Sequence, residues 1–138
     1  MEENVLSRNK ENELIMVALY DAITYITIKE EFSIEDILSG LFETDYADVP
    51  YFAKEVVIKS LVHINEIIPI FQEHMVKWAF DRLNNIIKAI LITSYTKGKY
   101  LDEPIDKRVI IDTAVNLAKK FAEPSDYKFV NGILDNVL

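Results

Sequence analysis

The sequence predicts an all-α fold of about seven helices, on three observations. Apolar residues recur at steps of three and four along most of the chain, the period of a helix with one buried face. Only 3 glycines and 4 prolines punctuate the 138 residues, and most fall between those apolar stripes. Helix-start residues, either Ser with a following acid or Pro, stand just before several of the stripes.

Taken in order, a first helix runs from about Ser7 to Ile28, with Ile15, Ala18, Leu19, Ala22, Ile23 and Ile26 in one stripe. Ser33 followed by Asp36 is a capping-box signature, and Gly40 closes a short helix near Leu41. Glu43 to Asp48 reads as a loop, and Pro50 suits the first turn of a third helix through Phe52, Val56 and Leu61. A fourth stripe, Leu61, Ile64, Ile67, Ile68, Phe71 and Met75, overlaps its end. Pro69 inside that stripe must kink the segment or start a new short helix. The strongest period is Leu83, Ile86, Ile87, Ile90, Leu91, Ser94 and Tyr95, ending at Gly98 as a C-terminal cap.

The loop Lys99 to Glu103 precedes Pro104, which opens a helix carrying Ile110, Thr113, Ala114, Leu117, Ala118 and Phe121 on one face. Pro124 stops it, and Ser125 caps a last helix with Val130, Ile133, Leu134 and Val137 facing inward. Asn131-Gly132 is a competing hairpin signal, but the flanks KFV and ILDNVL do not alternate and the helical spacing runs through the pair. Glycine inside a helix costs ~1 kcal/mol relative to alanine, so Gly132 is expected to let another helix approach closely.

Length and composition narrow the function. Residues 1–138 are expected to form one domain, large enough to bury a core without covalent staples. Hydrophobic residues at 50% and charged residues at 28% are the balance of a globular chain. Cysteine is absent and there are 2 histidines, which excludes disulfides, thiolate zinc sites and cysteine nucleophiles, and no cofactor is expected. No run approaches ~20 apolar residues, and the opening MEENVLSRNKENE has no apolar signal core, so a soluble, cytoplasmic protein without a membrane partner is expected.

The charge is uneven. The net formal charge is −8; residues 1–73 carry 15 acids and 5 bases, residues 74–138 carry 8 acids and 10 bases. Affinity for nucleic acid comes largely from counterions released as cations meet phosphates, so this chain is not an autonomous, non-specific binder. The densest basic window is 75–100, with Lys77, Arg82, Lys88, Lys97 and Lys99 against Asp81.

Catalytic constellations are missing: there is no GxxxxGK[ST], GxGxxG, GxSxG or HExxH, and no enzyme is predicted. Asp102, Glu103 and Asp106 form the tightest acidic cluster, better explained by the positive end of a helix than by a metal. His63 and His74 read as solvated or capping residues near helix boundaries. Trp78, placed at the start of the long helix, reads as a core anchor ahead of a stacking platform. The interval Glu2 to Glu13 reads as a solvated face.

Several segments carry a resemblance. AVNLAKKF (Ala114 to Phe121) followed by KFVNGILD (Lys128 to Asp135) resembles the last two helices of the transcription antitermination factor NusB family. WAFDRL (Trp78 to Leu83), KAIL (Lys88 to Leu91), DVPYFAKEVV (Asp48 to Val57) and the ALY of Ala18 to Tyr20 resemble further family motifs in the same order, from about Ser7 to Leu138. The resemblance implies seven helices in two packed subbundles and a non-enzymatic factor. It implies as partners boxA-type RNA, the ribosomal protein NusE and the antitermination complex of RNA polymerase.

Carried over position by position, the resemblance assigns RNA binding to Arg8, Lys10, Tyr20, Lys88, Lys128 and Phe129, the set on or near the RNA- and NusE-facing surface. The family's S-R-R-K-A-R-E is Ser7-Arg8-Asn9-Lys10-Glu11-Asn12-Glu13 here, its L-R is Leu91-Ile92, its Y-E-L is Thr96-Lys97-Gly98 and its I-N-E is Ile111-Asp112-Thr113. Three basic positions are thus replaced, by Asn9, Asn12 and Ile92. At ~0.9 or less of salt slope per lost contact, RNA binding is expected to weaken ~10-fold or more at physiological salt. A grip shared with a basic partner is the first reading. A protein-interaction module that has lost RNA binding, as a monomer or a homodimer, is the alternative. Last comes a relative of the NusB-like N-terminal part of certain ribosomal RNA methyltransferases, whose large cofactor-binding domain these residues do not include.

Overall fold

The computed structural model describes residues 6–138, so Glu2 and Glu3 of the opening acidic interval lie outside it. Seven α-helices follow in order: α1 (Arg8–Ile28), α2 (Ile34–Phe42), α3 (Tyr51–Val62), α4 (Ile64–Glu73), α5 (Asn85–Lys99), α6 (Lys107–Phe121) and α7 (Asp126–Val137). Short 3-10 turns at Tyr46–Asp48 and Phe80–Arg82 join them, and there is no strand among the described residues.

The helix starts obey local chemistry. Ser7 Oγ accepts from Lys10 N–H (3.1 Å), Ser33 Oγ from Asp36 N–H (3.2 Å) and Asn84 Oδ1 from Ile87 N–H (2.9 Å). Each satisfies a donor that the helix leaves free at its first turn. Two expected starts differ. Pro104 stays in the loop, and Asp106 caps α6 by accepting from Arg108 N–H (2.8 Å). Ser125 makes no side-chain cap bond; Asp126 instead accepts from Glu123 N–H (3.1 Å) and closes the turn before α7.

The ends differ as well. Gly40 and Gly98 lie inside α2 and α5, and α2 stops at Glu43, which takes the left-handed conformation with φ 54°. The break expected around Pro69 falls at His63, and Pro69 is accommodated inside α4. The glycine that permits a close approach is Gly98, not Gly132. A Cβ at Gly98 would lie 2.9 Å from Leu138 Cδ2 and 3.2 Å from Ile110 Cδ1, whereas nothing stands within 4 Å of one at Gly132.

Two hydrophobic cores define two packed subbundles. The smaller collects Ile15, Ala18, Leu38, Val49, Ala53, Val56, Val57 and Leu101 between α1, α2 and α3. The larger is built from α4 to α7 and the other side of α1, through Met16, Leu19 and Ile23. Helix α1 therefore buries two faces, and α5 runs beside it through the middle of the larger bundle, packed on α1, α3, α6 and α7. Trp78 is not part of either core: it stands in the loop before α5 and is 64% exposed.

Candidate nucleic-acid interface

The six carried-over residues fall into three neighbourhoods. Arg8 and Lys10 occupy the first turn of α1. Arg8 lies over the Phe52 ring, 3.9 Å from its centroid, and its Nε is 3.9 Å from Glu11 Oε2. Lys10 Nζ is 3.7 Å from Glu13 Oε2, and Glu13 also pairs with Lys120 across from α6. That hydrogen bond from Lys120 holds the Glu13 carboxyl below its ordinary pKa. A groove between α1 and α6 runs past these groups, lined by Asn9, Asn12, Glu13, Thr113, Asn116 and Lys120.

Lys88 stands at the far end of α1. It borders an apolar cleft with Ile23, Ile26 and Thr27 of α1, Ile64 and Ile68 of α4, and Asp81 on the rim. At 1.5 Å per residue, Arg8 and Thr27 are about 28 Å apart along the helix. Steps of 100° place Asn9, Glu13 and Thr27 within about 20° of Tyr20 around α1. Tyr20, 37% exposed, thus sits on the line from the α1–α6 groove to the Lys88 cleft. Lys128 and Phe129 open α7; Lys128 is exposed, whereas Phe129 is half-buried against the larger core. The structure thus leaves the set dispersed: Arg8 faces α3 about 120° around α1 from Tyr20, Lys88 stands on α5, and Lys128 and Phe129 on α7.

The three replaced basic positions are not equivalent. Asn9 is exposed, but Asn12 is 6% and Ile92 is 1% exposed, so two of the three are interior positions. A buried position cannot release a counterion to a phosphate. The side chains now at positions 12 and 92 face the interior, and only Asn9 stands in solvent. At position 12 the reason is visible. Lys97 Nζ donates to Asn12 Oδ1 at 2.7 Å, both groups being buried. The hydrogen bond thus joins α5 to α1 inside the protein. Burial, and then the charge of Arg8, push the Lys97 pKa down to about 8. Beside it Glu11 is 7% exposed with Oε1 lacking a partner, and burial raises its pKa.

Sequence reasoning missed Lys120 and Asn116 as neighbours of Glu13 and Asn9. The available signal was the basic pair Lys119-Lys120 in the last turn of α6; Lys119 lies over the Tyr127 ring at 4.7 Å. The acidic cluster disperses: Asp102 accepts from Lys59 (3.1 Å) and Tyr51 (3.3 Å), while Asp106 caps α6. His63 stacks on Tyr100 with centroids 3.9 Å apart and sits at the α3–α4 joint; His74 ends α4. Among the described residues no group of three or more His, Asp or Glu side chains is arranged to hold a metal, and no helix is long and apolar enough to cross a membrane.

Seven helices in two subbundles sharing α1, with a groove of mixed charge along that helix, define a helical scaffold protein. A family model described as the NusB family matches residues 46–138. Over 108 residues the chain is 39% identical to the transcription antitermination protein NusB of Macrococcus caseolyticus, covering 78% of this chain and 80% of that one. A relative of the same name from Thermodesulfovibrio yellowstonii is 30% identical over 141 residues, 96% of this chain and 91% of its own. The solved structure of T. maritima NusB superimposes with a TM-score of 0.75 at 22% identity, over 96% of this chain and 90% of that one, and so shares the fold. The chain belongs to the NusB family of transcription antitermination factors.

Proposed function

We propose that the protein acts in the cytoplasm without catalysis, as one RNA- and protein-binding domain that holds boxA-type RNA together with NusE in the antitermination complex of RNA polymerase. Arg8, Lys10, Tyr20, Lys88, Lys128 and Phe129 form the proposed contact set, and we add Lys120 because it shares Glu13 with Lys10. One observation carries the shared grip: the cations at the start of α1 are already matched by carboxylates of this chain, Arg8 by Glu11, and Lys10 and Lys120 by Glu13. A phosphate must displace those carboxylates, on a chain of net charge −8. A basic partner supplies the positive surface that this one lacks, and the acidic first half of the chain favours its approach.

The test is a fluorescence anisotropy titration of boxA-type RNA with and without NusE, in stated salt. The expected result is weak binding alone and tight binding with NusE. Tight binding alone would contradict the shared grip. Absence of binding in both arms would leave a protein-interaction module, and sedimentation would then show whether it is a homodimer burying the Arg8, Lys10 and Lys128 face.

A further inference from the structure

We propose that Trp78 is a stacking platform for an unpaired nucleobase, a contact that rests on the RNA-binding reading and lies outside the residue set above. The indole is 64% exposed and Val76 beside it is 97% exposed, an apolar pair left in water in the loop before α5. The side chain is free but its backbone is not. Gln72 Nε2–H donates to the Trp78 carbonyl (3.1 Å), and Phe80 N–H donates to Gln72 Oε1 (2.7 Å). Phe80 itself is 2% exposed and stacks on Phe71 with centroids 5.8 Å apart. Gln72 and Phe80 thus clamp both sides of residue 79, so the indole is held outward without ordering the loop on binding.

The surroundings select the occupant. Lys77 precedes the indole and Arg82 follows it at the end of the 3-10 turn, both exposed, with Asp81 the one acid between them. An exposed aromatic with cations one residue before it and four after it in sequence suits a base whose phosphates meet those charges. This is the arrangement by which single-stranded nucleic acid is held without base-specific hydrogen bonds. An apolar protein anchor would fit the indole but not its charged flanks. Every base has a π-face, so the platform binds unpaired RNA of any sequence and sequence selection comes from elsewhere.

Trp78 is the sole tryptophan of the chain, so its emission reports this site alone. The probe is a mixed-sequence single-stranded RNA of about 12 nucleotides, a length within typical site sizes. A fluorescein-labelled sample measures binding by anisotropy, and an unlabelled one measures Trp78 quenching, both at low salt. We expect saturable quenching by the RNA, and none by an abasic chain of the same length that still binds through its phosphates. Trp78→Ala should weaken RNA binding about tenfold or more while leaving the salt slope unchanged, and Trp78→Phe should keep most of the affinity. An anisotropy change without quenching, or full affinity in Trp78→Ala, would overturn the platform and leave the RNA-binding reading standing. No anisotropy change at all would overturn the platform, and the RNA-binding reading falls with it only if boxA-type RNA in the presence of NusE is silent too. Quenching by NusE but not by RNA would make Trp78 a protein anchor instead.

Discussion

The two subbundles are held together by different forces. The larger one buries aliphatic and aromatic side chains from α1 and α4 to α7, and α5 alone contributes Ile87, Ala89, Ile90, Leu91, Ile92 and Tyr95. The smaller one has a thinner core, with Leu38 the one buried residue of α2. Directional polar contacts tie it to α5 and the segment that follows. Lys59 joins Glu55 (2.7 Å), the Tyr100 carbonyl (2.9 Å) and Asp102 (3.1 Å), Ser60 meets Thr96 at 2.7 Å, and Lys97 meets Asn12. Apolar burial is indifferent to pH, while hydrogen-bonded charge is not. The lesson is a division of labour: the larger bundle holds most of the apolar burial, and the polar contacts around α1 and α3 carry the hydrogen-bonded charge that responds to pH.

The most forceful way to break this comparison is to cut a cavity in each core. Ile90 and Leu38 are both fully buried. Ile90→Ala is expected to cost about 3–5 kcal/mol in global unfolding by urea, since α5 is packed on several sides and the void cannot collapse. Leu38→Ala should cost about 2–3 kcal/mol, because a nine-residue helix with one buried side chain can loosen locally. Hydrogen exchange should then show α2 and α3 opening ahead of α5 in the second variant. Equal costs with uniform exchange would mean that the two cores act as one.

A second test isolates the buried charge. The folded Lys97 pKa of about 8 lies below the ordinary 10.5, so between these pH values the unfolded chain binds more protons than the folded one. Stability must therefore rise with pH across that window. Below pH 8 the penalty is complete, on the order of 3 kcal/mol; above 10.5 it vanishes. Lys97→Met removes that dependence while leaving Asn12 without its partner, a pH-independent cost of about 1–3 kcal/mol. The stability of Lys97→Met minus that of the parent should be most favourable below pH 8 and fall by a few kcal/mol towards pH 10.5. A flat difference curve from thermal melts would show that Lys97 carries no burial penalty.

The same contrast explains what could be read from the chain. Each of the seven helices was legible from three-and-four spacing, because burying one face leaves that period in the sequence. Residues buried against expectation left no such trace. Thr93 and Thr96 sit inside the bundle because each hydroxyl donates to a carbonyl one turn back, on Ala89 (2.7 Å) and Ile92 (3.0 Å), which hides a polar side chain in an apolar interior. Trp78 looked like an anchor because it precedes a strong stripe. The chain between α4 and α5 is instead irregular and tied by Gln72, a side chain with no pattern to announce it. At the candidate site, likeness alone pointed to Arg8 and Lys10. The pairing of Glu13 with Lys120, 107 residues away, was not, since a single sequence carries no signal for a contact at that separation.

That pairing supplies the gentlest test. Glu13 sits between Lys10 and Lys120, and its removal frees both cations towards solvent. Exposed ion pairs contribute little to folding, so Glu13→Gln should change stability by less than about 1 kcal/mol. Its effect on RNA should be larger in proportion. Two phosphate contacts no longer have to displace a carboxylate, and each one gained adds up to about 0.7 to the salt slope on a single strand. Anisotropy titrations across a salt series should therefore show tighter binding of RNA alone at low salt, a steeper decline with salt, and a smaller benefit from NusE. An unchanged slope would place the RNA elsewhere than the α1–α6 groove, and a large loss of stability would make Glu13 a strut between the helices rather than a brake on the phosphate contact.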